Sequence, residues 1–306
     1  MSSNIMTIHE FWKHRQACEM ANGLLVVDGD WLAYNALSAA EKETRWDDNV
    51  WSLECDHNLG WDIVTNYLTD FRERKKAWRK GDVVLAWSDR PNFRYGLLDS
   101  YKAGRKETRK PLGYKDFEQR MKESPELGIS IFEPNLEGDD VMGILGSGAK
   151  HFNYKKAVLI SVDKDFKTIP GCDFYHLTDG NIHPQTDESA DRFWWWQSLK
   201  GDVVDGYTGI PMMGDKAASD FLDEPWYVEQ VTRVLKTGKN AGTERTTWET
   251  VKDASGKSMW ECAVTLAAKQ GMSEEELLAN FQCARILRYG DYDHESQTIK
   301  LWTPSA

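Results

Sequence analysis

The sequence predicts an α/β fold with a mostly parallel central sheet flanked by helices. Short, continuous apolar runs, typical of strands buried on both faces, alternate over about the first 190 residues with longer stretches of helical periodicity. Several of these runs end in acidic residues, and ligands of open α/β sheets bind outside the carboxyl ends of the strands. We therefore expect carboxylates to gather at one edge of the sheet.

The elements are predicted in chain order from these patterns. An amphipathic helix within residues 1–23 is closed by Asn22–Gly23, a helix-stop signal. The predicted strands are 24–28, the apolar part of 83–89, 129–132, 157–162, 174–177 and a short piece at 181–183. The predicted helices are 31–40, 47–80, one from LEGDD at 136–140 to about Lys150, one from Glu188 onward, and 260–288.

Composition is that of a globular protein with an unusual charge balance. Hydrophobic residues make up 41% of the 306 residues, and no segment approaches the ~20 apolar residues of a membrane span. The N-terminus lacks the pattern of a signal peptide. Five cysteines without a CxxC motif predict reduced, buried thiols in a cytoplasmic protein. The net charge of −11 argues against nucleic-acid binding, unless bound metal ions neutralise part of it.

Clusters of acidic residues recur along the chain. LEGDD places three carboxylates within four residues, and VDKD, LLVVD, VVLAWSD and GDVVD add further acids. Neighbouring carboxylates repel one another unless a cation neutralises them, and oxygen ligands suit Mg²⁺. LEGDD alone is equally compatible with a cap on a solvated helix. The recurrence favours bound divalent cations.

Residues 90–122 form a basic insertion between two predicted strands. From Arg94 to Lys122 there are nine Lys and Arg residues against four acids, interspersed with glycines and aromatics. Such a segment suits a phosphate backbone and stacked bases, although a solvated loop has the same composition. Its position directly after Asp89 favours the nucleic-acid interpretation. The basic run 71–80 is a secondary candidate.

Residues 201–222 combine acids, glycines and a lysine. Gly206 and Gly209 predict a tight helix–hairpin–helix turn whose N–H groups bind phosphates. Just before this segment, Trp194–Trp196 are consecutive and cannot share one helix face, so some belong to a core, and base stacking stays open for the others.

Six motifs occur in one order: LLVVDGDW, AWSD, YKAGR, LEGDD, ISVDKDF and GDVVDGYTGI. This set resembles the flap-endonuclease-like 5′-nuclease family, with the exonucleases of T7-like phages as the nearest match over almost the whole chain. The resemblance implies a PIN/5′-nuclease-like core at 1–190 with a helical arch at 90–122. It also implies a helical DNA-binding region at 191–306 with a helix–hairpin–helix element at 201–222.

The resemblance also implies the functional residues. The metal-site carboxylates would be Asp28, Asp89, Glu137, Asp139, Asp140, Asp163, Asp165, Asp202 and Asp205, binding two Mg²⁺ or Mn²⁺ ions. Lys102 and Arg105 would act on the scissile phosphate, and Asp163 and Asp165 would take part in catalysis. The DNA-binding residues would be Tyr101, Lys102, Arg105, Arg109, Lys110, Gly206, Gly209 and Lys216, with a K⁺ ion at the hairpin. Pro211–Met213 interrupt the family's hairpin pattern, and Lys216, which follows them, takes the place of the family lysine.

The implied function is a metal-dependent 5′→3′ exonuclease on double-stranded DNA with a 5′ end. Removal of RNA primers or 5′ flaps, and thus action on RNA–DNA hybrids, would be related activities of a monomer. No nucleophile elbow, P-loop or zinc spacing competes with hydrolysis. One alternative is a PIN-type ribonuclease, which typically lacks the arch and the helix–hairpin–helix element. Another is a non-catalytic DNA-binding or metal-binding protein, which needs no such dense set of acids.

Overall fold

Two compact units are present in the computed structural model, which describes residues 4–104, 109–237 and 239–304. The first unit runs to Phe93, resumes within the 90–122 segment and continues to Asp191, and closes with Ile286–Leu301. The second contains the segment that begins at Arg94, then Arg192–Arg285, and the residues from Trp302. Both units are therefore discontinuous in sequence.

Strands and helices alternate through the first unit, whereas helices and one hairpin make up the second. The strands are β1 (Ile5–Met6), β2 (Leu24–Asp28), β3 (Glu41–Asp47), β4 (Val50–Cys55), β5 (Asp82–Trp87), β6 (Ile129–Phe132), β7 (Ala157–Ser161), β8 (Asp173–His176), β9 (Asn181–Pro184), β10 (Tyr227–Val234), β11 (Glu244–Val251), β12 (Tyr292–Asp293) and β13 (Thr298–Ile299). The α-helices are α1 (Ile8–Gln16), α2 (Gly29–Ala40), α3 (His57–Arg74), α4 (Tyr114–Glu123), α5 (Gly138–Ser147), α6 (Asp187–Lys200), α7 (Asp215–Asp223), α8 (Met259–Lys269) and α9 (Glu274–Ala284). Short 3₁₀ helices lie at Phe93–Gly96, Ala149–Phe152, Lys164–Thr168 and Tyr289–Asp291.

Seven strands of the first unit form one sheet in the order β1-β6-β5-β2-β7-β8-β9. Every neighbouring pair is parallel except β8 and β9, which are antiparallel. This arrangement confirms the predicted mostly parallel sheet. Because β2, β5, β6, β7 and β8 run in one direction, the residues that follow them lie along one edge.

The central strand β2 shows why the apolar runs are continuous. Leu24 and Val26 face a core with residues of α1 and α5, whereas Leu25 and Val27 face a second core with α2, α3 and α4. All four side chains are buried. Successive side chains of a strand point to opposite faces, so a sheet covered on both faces needs apolar residues at every position.

The predicted arch at 90–122 is wrong in its extent. Its last nine residues lie in α4, which buries Tyr114, Phe117 and Met121 in the core that it shares with α2. Gly113, in the left-handed region at φ 69°, precedes this helix. Since the apolar stripe of α4 repeats at helical spacing, it anchors that part of the segment to the first unit.

Two other predictions for the N-terminal half need correction. Residues 4–23 contain the short strand β1 before α1, rather than one long helix. The helix predicted at 47–80 begins at His57, because residues 41–55 form the antiparallel hairpin β3–β4. Trp46 and Trp51 on this hairpin are largely exposed, so the buried stripe that would have marked the strands is missing.

The second unit has a core rich in aromatic residues. Trp194 is buried against Phe281, and its indole N–H donates to the Phe281 carbonyl oxygen over 3.1 Å. Trp195 and Trp196 are half-buried, so the tryptophan run is largely structural. The helix predicted at 260–288 is two helices, α8 and α9, and Gly271 at φ 81° lies between them. The long hairpin β10–β11 was not predicted.

The cysteines are all free thiols. Cys172, Cys262 and Cys283 are buried as predicted, whereas Cys18 and Cys55 are partly exposed. Within the described ranges, no helix combines the length and the apolar character that a membrane span requires.

Candidate active site

The edge of the sheet at the carboxyl ends of its parallel strands carries a group of acids, named here the acidic edge. Asp28 ends β2, Asp89 lies two residues beyond β5, and Asp163 lies two residues beyond β7. The loop after β6 leads into α5, whose first turn is acidic. The acidic edge comprises Asp28, Asp30, Asp89, Glu137, Asp139, Asp140, Asp163 and Asp165.

Asp28 and Asp163 are joined by one hydroxyl group. The Ser161 hydroxyl donates to Oδ2 of Asp28 over 3.2 Å, and the backbone N–H of Asp163 donates to the same hydroxyl oxygen, also over 3.2 Å. The other carboxyl oxygen of Asp28 accepts from the Trp31 N–H over 2.9 Å and caps α2. These bonds fix the ends of β2 and β7 relative to each other.

The electrostatic environment of Asp28 disfavours its charged form. The pKa of Asp28 is raised to about 7, chiefly by burial and in addition by the negative charges of Asp30 and Asp163. The hydrogen bonds from Trp31 and Ser161 act in the opposite direction but do not outweigh burial. A divalent cation beside these carboxylates would restore the ionised form. The crowding of oxygen ligands therefore fits Mg²⁺ or Mn²⁺.

Asp30 is a member of the acidic edge that the sequence analysis did not select. Its Oδ2 accepts the Ser88 N–H over 2.9 Å, and the Ser88 hydroxyl also donates to this carboxylate. The same hydroxyl oxygen accepts the N–H of Gly138, the first residue of α5, over 2.9 Å. Burial raises the pKa of Asp30. Asp30 and Ser88 thereby connect β5 to the start of α5.

Asp89 organises the loop that precedes α5. Its Oδ1 accepts the Arg90 N–H and its Oδ2 accepts the Asn135 N–H, each over 2.8 Å. The Asp89 N–H donates to the Leu136 carbonyl oxygen over 2.8 Å. Both carboxyl oxygens of Asp89 thus hold backbone groups, which assigns it at least a positioning role.

The three acids at the start of α5 differ in their surroundings. Asp140 is fully buried, and its oxygens accept the N–H groups of Leu287 over 3.0 Å and of Glu137 over 3.2 Å. Glu137 is the N-cap residue and Asp139 lies in the first turn, and both are half-buried. Asp140 therefore fixes the helix start, whereas Glu137 and Asp139 remain partly accessible to solvent.

Asp163 and Asp165 lie where solvent reaches the acidic edge. Asp163 is exposed and caps the 3₁₀ helix Lys164–Thr168, because its Oδ1 accepts the Asp165 N–H over 2.9 Å. Asp165 is half-buried. The exposed position of Asp163, next to the Ser161 bridge, makes it the most accessible predicted acid of this edge.

Asp202 and Asp205 belong to the second unit, in the loop between α6 and α7. Oδ1 of Asp202 accepts the Val204 N–H over 2.8 Å and the Asp205 N–H over 3.3 Å. The Asp205 carbonyl oxygen accepts the N–H of Lys102 over 2.9 Å. These two acids shape the loop that supports Lys102.

Lys102 has a strained backbone held by close contacts. Its φ is 52°, in the left-handed region, and its ammonium lies 4.9 Å from the centre of the Tyr101 ring. Gly206, at φ 78°, lies against this turn, since a Cβ there would be 2.0 Å from the Ser100 carbonyl oxygen. The contact between glycine and backbone therefore decides where Lys102 is placed.

Comparisons with known proteins agree with this geometry. Residues 23–186 match the family described as 5′-3′ exonuclease, N-terminal resolvase-like domain. The chain is 45% identical over 303 residues to the exodeoxyribonuclease of Enterobacteria phage T3 and, over the same length, to the exonuclease of Escherichia phage T7. Each match covers 98% of this chain and 99% of the relative. The chain belongs to the 5′-3′ exonuclease family.

This family assignment confirms the predicted resemblance. Among solved structures, the chain is similar to T5 5′-exonuclease with bound zinc, with a TM-score of 0.53 and 17% identity over 86% of this chain and 89% of that one. At this identity the likeness shows the fold, which is the predicted one. The family also decides between the exonuclease interpretation and the PIN-type ribonuclease, in favour of the former.

Several residues predicted to bind DNA have other partners in this member of the family. Tyr101 is 2% exposed, in the core of the second unit, so it cannot stack on bases. The Gly206 N–H donates to the Asp202 carbonyl oxygen and the Gly209 N–H to Asn280 Oδ1, which corrects the prediction that these groups bind phosphates. Arg109 forms a bidentate ion pair with the carboxylate of Glu41.

The exposed lysines among the remaining candidates are compatible with a contact to the phosphate backbone of DNA. Lys110 is exposed, with its ammonium 4.3 Å from the centre of the Tyr114 ring. Lys216 is exposed in the first turn of α7. Arg105 lies outside the described residues. The loop between α6 and α7 contains the glycines of the predicted helix–hairpin–helix element, and that assignment stays a prediction.

Asp30, Ser88 and Ser161 are the members of the acidic edge and of its hydrogen-bond network that sequence reasoning missed. Each stands inside a motif that had been noticed: LLVVDGDW, AWSD and ISVDKDF. The signal was their position at strand ends beside a selected acid. Only the parallel order β5-β2-β7 shows that these side chains bridge neighbouring strands.

Proposed function

We propose that this protein hydrolyses phosphodiester bonds of double-stranded DNA from the 5′ end, using divalent metal ions held at the acidic edge. The observation that carries the proposal is the Asp28–Ser161–Asp163 bridge at the ends of two parallel strands. It ties the half-buried carboxylate of Asp28 to the backbone of the exposed Asp163, whose negative charge acts on Asp28, in a chain that belongs to the 5′-3′ exonuclease family.

The acids of the edge would divide the work of holding two Mg²⁺ or Mn²⁺ ions. The partly accessible side chains Glu137, Asp139, Asp163 and Asp165 would bind the ions. The remaining acids have carboxylate oxygens that accept hydrogen bonds from backbone N–H groups, and they would hold the ion-binding side chains in position. They are Asp28, Asp30, Asp89 and Asp140. Bound there, divalent ions supply Lewis-acid activation of water and stabilisation of the leaving 3′-oxygen. Asp202 and Asp205 remain candidates from the sequence pattern.

Basic residues would stabilise the phosphate on which the reaction takes place. Lys102 is held by the Asp205 carbonyl oxygen and the close approach of Gly206, so its ammonium is carried on a fixed turn. A positioned cation stabilises charge that develops on a phosphoryl group. Arg105, three residues further in the same YKAGR motif, would act with it. Lys110 and Lys216 would contact the duplex backbone.

Finer features of the proposal rest on the resemblance. They are a K⁺ ion at the loop between α6 and α7, action on RNA–DNA hybrids or 5′ flaps, and activity as a monomer in the host cytoplasm. The division into a nuclease core and a DNA-binding region is part of the same proposal. Sedimentation and substrate panels test these features separately from the core activity.

The test is product analysis on a blunt duplex labelled at the 5′ end and, separately, at the 3′ end. Mg²⁺-dependent release of short 5′-labelled products, while the 3′ label stays on a shrinking strand, is the expected result. EDTA should stop both changes. Release from the 3′ end first, or cleavage of single-stranded RNA without cleavage of the duplex, would contradict the proposal.

A further inference from the structure

A second group of metal-ligating side chains lies on the β8–β9 hairpin of the first unit. His176, Asp179 and His183 each offer one ligand atom, and these atoms lie within 4.8 Å of one another. Asp179 Oδ2 is 3.0 Å from Nδ1 of His176 and 3.1 Å from Nε2 of His183. None of these residues belongs to the acidic edge.

The hairpin holds the two histidines in fixed positions. In the antiparallel register of β8 and β9, His176 pairs with Asn181 and His183 with Phe174. The two histidines are therefore diagonal neighbours on one face of the hairpin. Asp179 lies in the connecting turn, where its Oδ1 accepts the Asn181 N–H over 2.8 Å and leaves Oδ2 directed at the imidazoles.

The Nε2 atom of His176, on the side of the ring away from Asp179, makes the kind of hydrogen bond that metal-binding histidines make. Its Nε2 lies 2.9 Å from the Val162 carbonyl oxygen, and a carbonyl can only accept, so Nε2 carries the proton. In the neutral ring, Nδ1 then presents a lone pair towards the Asp179 carboxylate. Two lone pairs at 3.0 Å repel unless a proton or a metal ion lies between them. A ligating histidine usually donates its other N–H to a carbonyl or carboxylate group, which fixes the ring.

From this geometry we propose that His176, Asp179 and His183 bind one transition-metal ion of the zinc type. Two imidazole nitrogens and one carboxylate oxygen suit Zn²⁺, Co²⁺ or Ni²⁺ better than Mg²⁺, which prefers oxygen ligands. Ligand atoms at about 2.0–2.2 Å from a tetrahedral zinc ion lie roughly 3.4 Å apart. The two distances from Asp179 Oδ2 to the histidines would therefore lengthen slightly, and the two imidazole nitrogens, which lie within 4.8 Å of each other, would need only a small adjustment. Water would complete the shell.

The bound ion would also stiffen the loop that carries Asp163. The Val162 carbonyl that His176 contacts belongs to the residue before Asp163, and the Leu177 N–H donates to the Ser161 carbonyl oxygen over 3.0 Å. The hairpin site is thus attached to Ser161, the last residue of β7, and to Val162, the residue before Asp163. The proposal itself is independent of the nuclease function, because it rests on histidines that the proposed cleavage does not use.

The experiment uses the full chain carrying Asp163→Asn and Asp165→Asn, so that metal binding at the acidic edge is weakened. The protein is stripped with EDTA, dialysed free of the chelator, and titrated with CoCl₂ while the visible absorption is followed. We expect one equivalent of Co²⁺ with an intense band of a nitrogen-ligated, tetrahedral ion. A tenfold excess of Mg²⁺ should leave this band unchanged, whereas one equivalent of Zn²⁺ should remove it.

Variants of the trio decide the assignment. His183→Gln should weaken Co²⁺ binding at least tenfold, with the thermal unfolding temperature in EDTA unchanged. His14→Gln, which removes an exposed histidine of α1, is the matched control and should bind like the parent. Absence of the band, or a band that survives both His183→Gln and His176→Gln, would overturn the proposal and leave the trio as a protonated hydrogen-bonded network. Loss of nuclease activity would not affect either result.

Discussion

The acidic edge of the first unit and the loop between α6 and α7 of the second unit use polar groups in opposite ways. At the acidic edge, backbone N–H groups and serine hydroxyls hold carboxylates, and Asp163 stays exposed. In the loop, the N–H groups of Gly206 and Gly209 donate hydrogen bonds to other groups of the protein. The first region therefore presents carboxylate oxygens, whereas the glycines of the second region let two backbone segments pack closely against each other.

The largest expected effect separates two acids within the acidic edge. Asp163→Ala should slow cleavage of a 5′-labelled duplex in Mg²⁺ by roughly 10³-fold, since several kcal/mol of metal-dependent stabilisation are lost. The free energy of unfolding should change little, because the relief of like-charge repulsion offsets the lost cap on the 3₁₀ helix that follows Asp163. Single-turnover kinetics and urea unfolding measure the two quantities. Near-normal cleavage would remove Asp163 from the proposed site.

Asp140→Ala is the counterpart on the buried side. It leaves the N–H groups of Leu287 and Glu137 without their acceptor, so we expect a loss of about 1–3 kcal/mol in the free energy of unfolding. Urea unfolding of the metal-free protein measures this loss directly. An unchanged stability, together with a lost metal affinity, would show that Asp140 is a ligand rather than a positioning residue.

Lys102→Ala tests whether the loop of the second unit serves the chemistry. We expect single-turnover cleavage to slow by about 10²-fold, because a positioned cation stabilises the transition state more than the bound substrate. The affinity for the duplex, measured by fluorescence anisotropy, should change much less. Equal losses in rate and affinity would reduce Lys102 to a backbone anchor.

Gly206→Ala tests the close approach that positions Lys102. A Cβ at this position would lie 2.0 Å from the Ser100 carbonyl oxygen, at a φ of 78°, so we expect a loss of about 1–3 kcal/mol. Gly214→Ala is the control, since a Cβ there meets nothing within 4 Å. Thermal unfolding of both variants gives the comparison. Equal stability of the two would contradict the structural role of Gly206.

The last effect concerns pH. The pKa of Asp28 is about 7 in the folded protein, above its value of 3.8 in the unfolded chain, so the folded state holds its proton longer. This contribution to stability is complete below about pH 4 and is lost as the pH rises to about 7. Asp28→Asn should therefore raise the unfolding temperature of the metal-free protein more at pH 8 than at pH 4.

Saturating Mg²⁺ supplies the check on this interpretation. An ion held beside Asp28 would favour its ionised form and stabilise the folded wild type, and this gain should be smaller in Asp28→Asn. Scanning calorimetry at both pH values, with Mg²⁺ and with EDTA, measures all four cases. A variant that gains as much from Mg²⁺ as the wild type would show that Asp28 takes no part in metal binding.

The sequence predicted regular elements where their pattern comes from burial. The strand bounds at 24–28 and 129–132 agree with β2 and β6, because every residue of a doubly covered strand must be apolar or small. The hairpins β3–β4 and β10–β11 were missed. Most residues of both hairpins are half-buried or exposed, so neither sequence shows the regular alternation of apolar and polar residues that marks a strand with one buried face.

The sequence by itself determined the sheet, its acidic strand ends and the family, because each of these depends on short runs of residues and their order. Only the tertiary structure decided which acids face inward. Asp140 holds Leu287, which is 147 residues away, and Asp28 shares the Ser161 hydroxyl with Asp163 across two strands. The tertiary structure also places Tyr101 in a core and His176 near His183. Such outcomes depend on strand order and on contacts between distant residues, which no local pattern encodes.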